Sequence, residues 1–203
     1  MSSTRGQAKA TDDFSTPGWC TRALFRRLGL PTTTPILDPC AGDGAILRVA
    51  RDLGHECGAI ELRPECFDAL NGDGLSTDEV FIGDALGTAY YGHVSDGHAV
   101  AVVTNPPYSL AREFVDRWAH GRVCAAFLLR LNFLGSQKRA AWWREKMPSL
   151  VLVLPKRPSF TGGPTDSCEY AWIVYGPPPT PMPGDWGALV RPCRLEILDI
   201  EGL

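Results

Sequence analysis

The chain has 203 residues, a hydrophobic fraction of 44%, a mean hydropathy of -0.08 and a formal net charge of -3. These values are typical of a soluble globular domain. No apolar run approaches the roughly 20 residues of a membrane helix, and the first residues lack the apolar core of a secretion signal, so a membrane protein and a secreted protein are both disfavoured.

The first residues and the cysteine pattern support further predictions about mobility, location and metal binding. We expect residues 1–12 to form a flexible arm and the protein to be cytoplasmic. The seven cysteines form no CxxC pair, and the four histidines show no HxxxH or HExxH spacing. We therefore expect reduced, mostly buried thiols and no metal site.

The first predicted strand leads into a glycine-rich loop. An apolar stretch ends at Asp38 and is followed by Pro-Cys-Ala-Gly-Asp-Gly at residues 39–44, and then by a helical periodicity at residues 45–53. Gly42 and Gly44 would let the backbone approach a ligand closely. The loop lacks phosphate-loop spacing, and Asp38 would repel a pyrophosphate but could receive an ammonium group. A cofactor with an amino acid end fits better than a dinucleotide.

Two further predicted strands also end in acids. The second ends at Glu61, about twenty residues after the loop, where a ribose diol would be bound. The third, Val-Phe-Ile at residues 80–82, leads to Asp84, which is suited to accept a hydrogen bond from an adenine amino group. Each acid alone is more often a solvated loop residue or a helix cap. Their order and spacing favour one binding site at one edge of a parallel sheet.

The next apolar run, residues 99–103, is followed by Thr104 and the tetrapeptide Asn-Pro-Pro-Tyr at residues 105–108. The Asn105 side chain and the Pro106 carbonyl would present two acceptors beside the flat Tyr108 ring. This arrangement suits a planar amino group, such as the exocyclic nitrogen of adenine, whose lone pair is delocalised into the ring. Catalysis would then depend on positioning and electrostatics. The tetrapeptide can also be only a rigid turn that ends a strand.

The remaining periodicities complete an α/β pattern. A last long strand at residues 168–175 is expected to form an antiparallel hairpin with the strand before it, and the proline-rich run at residues 176–184 then breaks regular structure. A short strand is possible at residues 194–198. Helices are predicted at residues 17–28, 44–53, 64–70, 109–119 and 136–146, and strands are predicted to end near Asp38, Glu61, Ile82, Thr104, Leu129, Leu154 and Tyr175.

These motifs together resemble the S-adenosylmethionine-dependent DNA adenine-N6 methyltransferases, particularly the short phage-type ones. The resemblance covers roughly residues 13–176. It is carried by DPCAGDGAI, AIELRP, IGDAL and TNPPYS, by the upstream FSTPGW, and by RPSF after the strand that ends near Leu154. The motifs are specific for the superfamily in combination, and less specific for the substrate.

The resemblance implies a Rossmann-like class I methyltransferase fold: a mostly parallel seven-stranded sheet with an antiparallel last strand and helices on both faces. It implies S-adenosylmethionine as cofactor, no metal, and a bacterial or phage-infected host cell. We expect a flexible arm at residues 1–12, a catalytic domain at residues 13–176 and a proline-rich tail at residues 177–203, with no separate target-recognition domain.

The resemblance also assigns roles. The catalytic loop is Asn105, Pro106, Pro107 and Tyr108, and Tyr108 and Phe160 would stack on a flipped target base. The cofactor-binding residues are implied to be Phe14, Thr16, Pro17, Asp38, Cys40, Ala41, Gly42, Gly44, Glu61, Leu62, Asp84, Ala85 and Asn105.

The charge distribution is compatible with a nucleic-acid substrate. Residues 121–157 contain eight basic residues and one acid, whereas residues 71–97 contain five acids and no lysine or arginine. The basic stretch could follow phosphates, or it could be a solvated helical face. The predicted nucleic-acid contacts in it are Arg130, Lys138, Arg139, Lys156 and Arg157.

The sequence leaves substrate and assembly partly open. Because no segment of the usual size for target recognition is evident, we expect low sequence specificity, a small recognition element at the loop 161–167, or dependence on a partner. DNA is the favoured partner, with RNA adenine methylation as the alternative, followed by glutamine methylation of a protein and by a non-catalytic binding subunit. No membrane partner is expected. The oligomeric state is open, with a monomer favoured.

Overall fold

A computed structural model describes residues 15–72, 79–87, 100–119, 124–176 and 193–202. The predicted arm at residues 1–12, Phe14, the proline-rich run from residue 177 to residue 184 and much of the acidic stretch lie outside the described residues.

The described strands form one eight-stranded sheet in the order β3-β2-β1-β4-β5-β7-β6-β8. The first five strands are parallel, and β7 is antiparallel to both of its neighbours, β5 and β6. The strands are β1 (Ile36–Asp38), β2 (Cys57–Glu61), β3 (Val80–Ile82), β4 (Ala101–Thr104), β5 (Cys124–Arg130), β6 (Leu150–Val153), β7 (Tyr170–Tyr175) and β8 (Arg194–Ile197).

The strand count differs from the expected seven, and the antiparallel strand is not the last. The hairpin of β6 and β7 is present as predicted, but β8 follows it and pairs with β6 in parallel. The β8 strand adds to β6 because the hairpin leaves one edge of β6 free for backbone hydrogen bonds, which Arg194 and Leu198 donate to Ser149 and Val153. The prediction of a seven-stranded sheet that ends in an antiparallel strand is therefore wrong by one strand.

The helices are close to their predicted positions and cover both faces of the sheet. Short 3-10 turns lead into α3, α4 and α5. The sequence periodicity includes these turns, so the helices predicted from it are longer than the α-helices in the structure. Among the described residues, no helix combines the length and apolar character needed to cross a membrane. The helices are α1 (Gly18–Leu28), α2 (Ala45–Asp52), α3 (Phe67–Gly72), α4 (Ala111–Trp118) and α5 (Ala140–Glu145).

The two faces carry two separate cores. Successive strand residues point to opposite faces, so in β1 Ile36 joins the core under α1 and α2, whereas Leu37 joins the core under α4 and α5. All residues of β2 and β4 are buried, as expected for parallel strands covered on both faces. The helices therefore hold the strand ends rigidly.

The chain reverses its direction across the sheet at β1. Strands β2 and β3 lie on one side of β1, whereas β4 and β5 lie on the other. In open α/β sheets, ligands bind outside the carboxyl ends of the strands at such a switch point. The loops after β1 and β4 flank it, so the glycine-rich loop and the catalytic loop meet there.

Candidate active site

A cavity of about 380 Å³ lies at the carboxyl ends of β1 to β4. This volume is within the range of roughly 300–1,000 Å³ found for small-molecule sites. Of the residues singled out from sequence, those that line the cavity are Thr16, Asp38, Cys40, Ala41, Gly42, Glu61, Leu62, Asp84, Ala85, Asn105, Pro106, Pro107 and Tyr108.

Two of the predicted cofactor-binding residues, Pro17 and Gly44, do not line the cavity but lie at the starts of helices. Pro17 precedes α1 and accepts a backbone hydrogen bond from Cys20, whereas Gly44 precedes α2. Phe14 lies outside the described residues.

The glycine-rich loop has the tight backbone that its sequence predicts. Gly42 and Gly44 adopt positive φ angles of 55° and 81°, which residues with a Cβ rarely adopt. The loop is also fixed by hydrogen bonds, because the Cys40 N–H donates to Asp38 Oδ1 at 2.9 Å and the Ala41 N–H donates to the Ile60 carbonyl at 3.1 Å. The turn therefore brings backbone to the cavity wall without a side chain at Gly42.

Asp38 is the acid at the end of β1 and is only 1% exposed. Burial raises its pKa to about 7, while the hydrogen bond from the Cys40 N–H and the nearby Thr104 hydroxyl oppose the rise and the nearby acids Glu61 and Asp43 add to it. A buried carboxyl that faces a cavity and lies near other acids favours a cationic ligand group. This is the property expected of a residue that receives an ammonium group.

Glu61 ends β2 and joins the glycine-rich loop to the second strand. Its Oε2 accepts from the Gly42 N–H at 2.7 Å, and its Oε1 accepts from the Arg63 backbone N–H at 3.1 Å and from Arg63 Nε at 2.9 Å. Arg63 also lines the cavity, although the sequence analysis did not single it out. The signal was present in AIELRP, where a basic residue follows the acid by two positions.

Asp84 follows β3 and is solvent-exposed at the cavity wall. Its Oδ1 accepts from the Leu86 N–H at 2.9 Å, which turns the chain across the end of the sheet. Leu62, which is 60% exposed, lies on the same wall. An acid and an exposed apolar side chain could bind the edge and the face of a planar ring.

The catalytic loop is linked to the segment before α1. Asn105 Nδ2 donates to Thr16 Oγ1 at 3.1 Å, and Thr16 is only 4% exposed. The neighbouring Ser15 hydroxyl donates to Asp43 in the glycine-rich loop at 2.9 Å. The segment therefore bridges the two loops that flank the switch point.

Tyr108 packs among aromatic and basic side chains. Its ring centroid lies 5.7 Å from that of Tyr170, and the guanidinium carbon of Arg130 lies 4.8 Å from its ring centroid. Burial raises the pKa of Tyr108, and the neighbouring Tyr170 hydroxyl adds to this effect. Phe160, which was predicted to stack on a substrate base, is buried with its ring edge-on to Tyr170 at 5.1 Å and is not among the residues that line the cavity.

A second depression of about 470 Å³ shares Tyr108 with the first cavity. Arg130 and Arg139 line it. The Arg139 guanidinium donates hydrogen bonds to the backbone carbonyls of Phe133 and Asn132. The basic stretch thus contributes to a surface beside the catalytic loop.

The other three predicted nucleic-acid contacts are exposed. Lys156 lies over the Trp19 ring at 4.8 Å, and Arg157 forms an ion pair with Glu169. Lys138 lies in the turn before α5. Within the described residues, no group of histidines, cysteines and acids is arranged to hold a metal ion.

No family model matches the sequence, and no curated protein matches it. Solved structures are similar in fold. A protein from Listeria monocytogenes assigned as a class I S-adenosylmethionine-dependent methyltransferase has a TM-score of 0.61 and 12% identity, and the match covers 98% of this chain and 69% of that one.

Two further similar structures are those of proteins described as part of a restriction enzyme and as an rRNA methyltransferase. The M protein of the type I restriction enzyme EcoKI has a TM-score of 0.58 and 15% identity, with 81% of this chain covered; the chain spans only 44% of that protein's length. The 23S rRNA methyltransferase ErmE has a TM-score of 0.55 and 18% identity, with 80% of this chain and 68% of that one covered. These likenesses confirm the predicted class I methyltransferase fold, apart from the strand count.

Proposed function

We propose that this chain transfers a methyl group from S-adenosylmethionine to the exocyclic N6 amino group of adenine in DNA. The observation that carries the proposal is the position of Asn105 on the wall of the same cavity as Asp38, Glu61 and Asp84, with its amide nitrogen bonded to Thr16. A carboxyl-lined cavity and an amide acceptor are the two parts that such a reaction needs.

The cavity residues fit the proposed cofactor. Asp38 would pair with the ammonium group of its methionine part, because a buried carboxyl gains most from a cation. Glu61 would accept from the ribose hydroxyls, since a carboxylate has more acceptor positions than its partners Gly42 and Arg63 use. Asp84, with Leu62 beside it, would bind the adenine ring. S-adenosylmethionine supplies an electrophilic methyl group on a sulfonium.

The catalytic loop would prepare the substrate nitrogen. With its nitrogen bonded to Thr16, the Asn105 amide retains its carbonyl oxygen as an acceptor for one N–H bond of the amino group. The Pro106 carbonyl would accept the other. Two such acceptors favour a pyramidal nitrogen with a free lone pair, so no strong general base is needed at the start. On transfer, the methyl carbon would form its bond to nitrogen as its bond to the sulfonium sulfur breaks, and the alkylated nitrogen would release its proton to water.

The target adenine would have to leave the duplex, because its amino group cannot reach a cavity from inside the base stack. Tyr108 would lie against the flipped base. Lys138, in the basic stretch beside the catalytic loop, would contact the nucleic-acid backbone.

We propose a catalytic unit at residues 13–176 with low sequence specificity. The loop between Ser159 and Cys168 is short and polar. Ser159 Oγ donates to the Gly163 carbonyl at 2.7 Å within it, and Asp166 Oδ2 lies 3.6 Å from Arg130 Nη2 on β5. The loop can add a few contacts to DNA. Methylation measured across all adenine contexts should show no single motif of four or more base pairs; one such motif accounting for all product would reject low specificity.

RNA is the second candidate substrate. The likeness to ErmE, described as a 23S rRNA methyltransferase, is as close as the likeness to the EcoKI protein. An amino group of adenine presents the same two N–H bonds in either nucleic acid. Contacts to the sugar would decide between them.

The function is tested by transfer of labelled methyl from S-adenosylmethionine to duplex DNA, single-stranded DNA, RNA and a release-factor protein in parallel. Nucleoside analysis should show N6-methyladenine in DNA, and Asn105→Ala should remove it. Asn71→Ala, an exposed change of the same type on α3, is the matched control. Label in RNA or protein alone would overturn the DNA assignment, and no label despite cofactor binding would overturn catalysis by the chain alone.

A further inference from the structure

The guanidinium of Arg130 lies on the ring of Tyr108. Its Cζ atom is 4.8 Å from the ring centroid, within the roughly 6 Å at which a cation is attracted to an aromatic face. Arg130 is the last residue of β5, and Tyr108 follows the adjacent parallel strand β4. The contact therefore joins the ends of two neighbouring strands at the rim of the proposed active site.

Two other side chains hold this guanidinium. Arg130 Nε donates to the Tyr170 hydroxyl at 3.0 Å, and Arg130 Nη2 lies 3.6 Å from Asp166 Oδ2. The Tyr170 hydroxyl in turn donates to the same Asp166 oxygen at 2.9 Å. Arg130 and Tyr170 are direct partners in the β5–β7 register, so the sheet itself sets their separation.

The two side chains that hold the Arg130 guanidinium, Tyr170 and Asp166, are more firmly fixed than the partners in an ordinary surface ion pair. Tyr170 is fully buried, and Phe160 packs edge-on against its ring at 5.1 Å. Asp166 is held in place by the Cys168 N–H, which donates to its Oδ1 at 3.0 Å. A guanidinium held by buried or fixed partners loses less freedom when it orders another group.

The orientation of Tyr108 matters because this residue lines two concave surfaces. One is the cavity of about 380 Å³, and the other is the depression of about 470 Å³ that Arg130 lines. A rotation of the ring would change the shape of both. A substrate base that stacks on Tyr108 would then meet the cofactor at a different angle, and misplacement of about 1 Å can lower a rate by roughly 100-fold.

We propose that Arg130 is a positioning residue, which fixes the plane of the Tyr108 ring while Tyr170 and Asp166 hold its guanidinium. The inference rests on the proposed function, in which Tyr108 lies against the substrate base. The loop that contains Asp166 is thereby coupled to the catalytic loop.

From the sequence, Arg130 is predicted to contact the nucleic acid, in a basic stretch that could follow phosphates. A residue that only binds phosphate would change the affinity for nucleic acid and its dependence on salt, but not the rate at saturating substrate. A residue that blocks the ring until a base displaces it would raise activity when removed. A positioning residue lowers the saturated rate, so these three roles predict different kinetics.

The test compares Arg130→Met, Arg130→Lys and Tyr170→Phe with the matched control Arg22→Met. Arg22 lies on α1 and forms an exposed ion pair with Asp52. We expect Arg130→Met to lower kcat about tenfold or more, because a cation–π contact and its orienting effect are lost. Arg130→Lys keeps a charge over the ring but loses the fork of donors, so it should restore part of kcat. The Kd for S-adenosylmethionine should stay within about twofold of the wild-type value in all of these variants. Loss of a contact to the cofactor worth about 1.4 kcal/mol would instead raise this Kd about tenfold.

A second readout does not depend on turnover. The ring resonances of Tyr108, assigned with Tyr108→Phe, should shift in Arg130→Met and less in Arg130→Lys, and should stay unchanged in Arg22→Met. If the wild-type protein methylated no substrate, the proposed function would fail while this measurement still tested the contact. The inference is overturned if the Tyr108 resonances do not respond, if kcat is unchanged while only KM rises, or if kcat increases. Tyr170→Phe keeps the test decisive if Arg130→Met does not fold, because it removes a single hydroxyl.

Discussion

Asn105 Nδ2 and Thr16 Oγ1 are 3.1 Å apart, although the two residues are separated by 89 positions in the chain. The hydrogen bond directs the Asn105 amide nitrogen to the protein, and the proposed function assigns its oxygen to the substrate nitrogen. Thr16 is buried, so the bond is not exchanged easily for one to water.

Thr16→Val is expected to lower kcat by roughly fivefold to tenfold, since it removes one hydrogen bond of about 1 kcal/mol and frees the Asn105 amide to rotate. Thr16→Ser keeps the hydroxyl and should retain most activity. Thr21→Val is the matched control, because the buried Thr21 hydroxyl has no hydrogen-bond partner among the described residues. Single-turnover methylation measures the effect, and equal rates for the valine variants at positions 16 and 21 would contradict it.

Asn105→Ala and Asp38→Ala should separate catalysis from cofactor binding. The first should abolish turnover and change the Kd for S-adenosylmethionine little, because it removes the acceptor for the substrate nitrogen and the bond to Thr16 but leaves Asp38, Glu61 and Asp84 in place. The second should weaken cofactor binding first, because it removes the buried carboxyl proposed to pair with the ammonium group. Calorimetric binding and methyl transfer measured side by side check this, with Asp52→Ala on the exposed end of α2 as the control for Asp38. If both variants had the same pattern of losses, the division of roles would be wrong.

The buried Asp38 carboxyl predicts a pH effect of defined sign. Its pKa is raised from 3.8 to about 7, so between these pH values the folded protein holds a proton that the unfolded chain has lost. The contribution of Asp38 to stability is therefore present at low pH and is lost as pH rises through 7. Asp38→Asn, which stays neutral, should gain in free energy of unfolding relative to the wild type from pH 5 to pH 8. Urea unfolding at four pH values measures the difference, and a constant difference would contradict the prediction.

The same ionisation predicts the pH dependence of cofactor binding. An ammonium group favours the charged carboxylate, so affinity for S-adenosylmethionine should increase as pH rises through about 7. Asp38→Asn should abolish this increase. Calorimetry across the same pH range measures it.

The partly buried pair of Arg27 and Glu196 should stabilise the attachment of β8 to α1. Two hydrogen bonds of 2.6 and 2.7 Å join them, and Arg27 holds the pKa of Glu196 below its usual value. Glu196→Gln is expected to lower the free energy of unfolding at pH 7 by about 1 kcal/mol, more than Asp52→Asn in the exposed Arg22–Asp52 pair. Because the pKa of Glu196 is lowered from 4.5, the difference should be fully present above pH 4.5 and should disappear as pH falls through the lowered pKa. Urea unfolding measures it, and equal losses for both variants at pH 7 would count against it.

Several parts of the fold could be predicted because they depend on short segments. The ends of β1, β2 and β4 follow from apolar runs that stop at Asp38, Glu61 and Thr104, and the helices follow from periodicity. Parallel strands align their carboxyl ends, so the convergence of these acids with Asn105 also followed from the order of the elements. The strand count was missed because β8 is short and its burial alternates, which made it look like an isolated tail strand.

The sequence by itself determined which chemical groups stand at the ends of the strands, because local periodicity and glycine or proline positions decide where a strand stops. Only the tertiary structure decided which distant groups meet those ends: Thr16 at Asn105, Gly42 at Glu61, and Arg130 between Tyr108 and Tyr170. These contacts depend on the order and register of strands that pair across long stretches of chain. No local pattern encodes that order, because it results from the packing of two cores on one sheet.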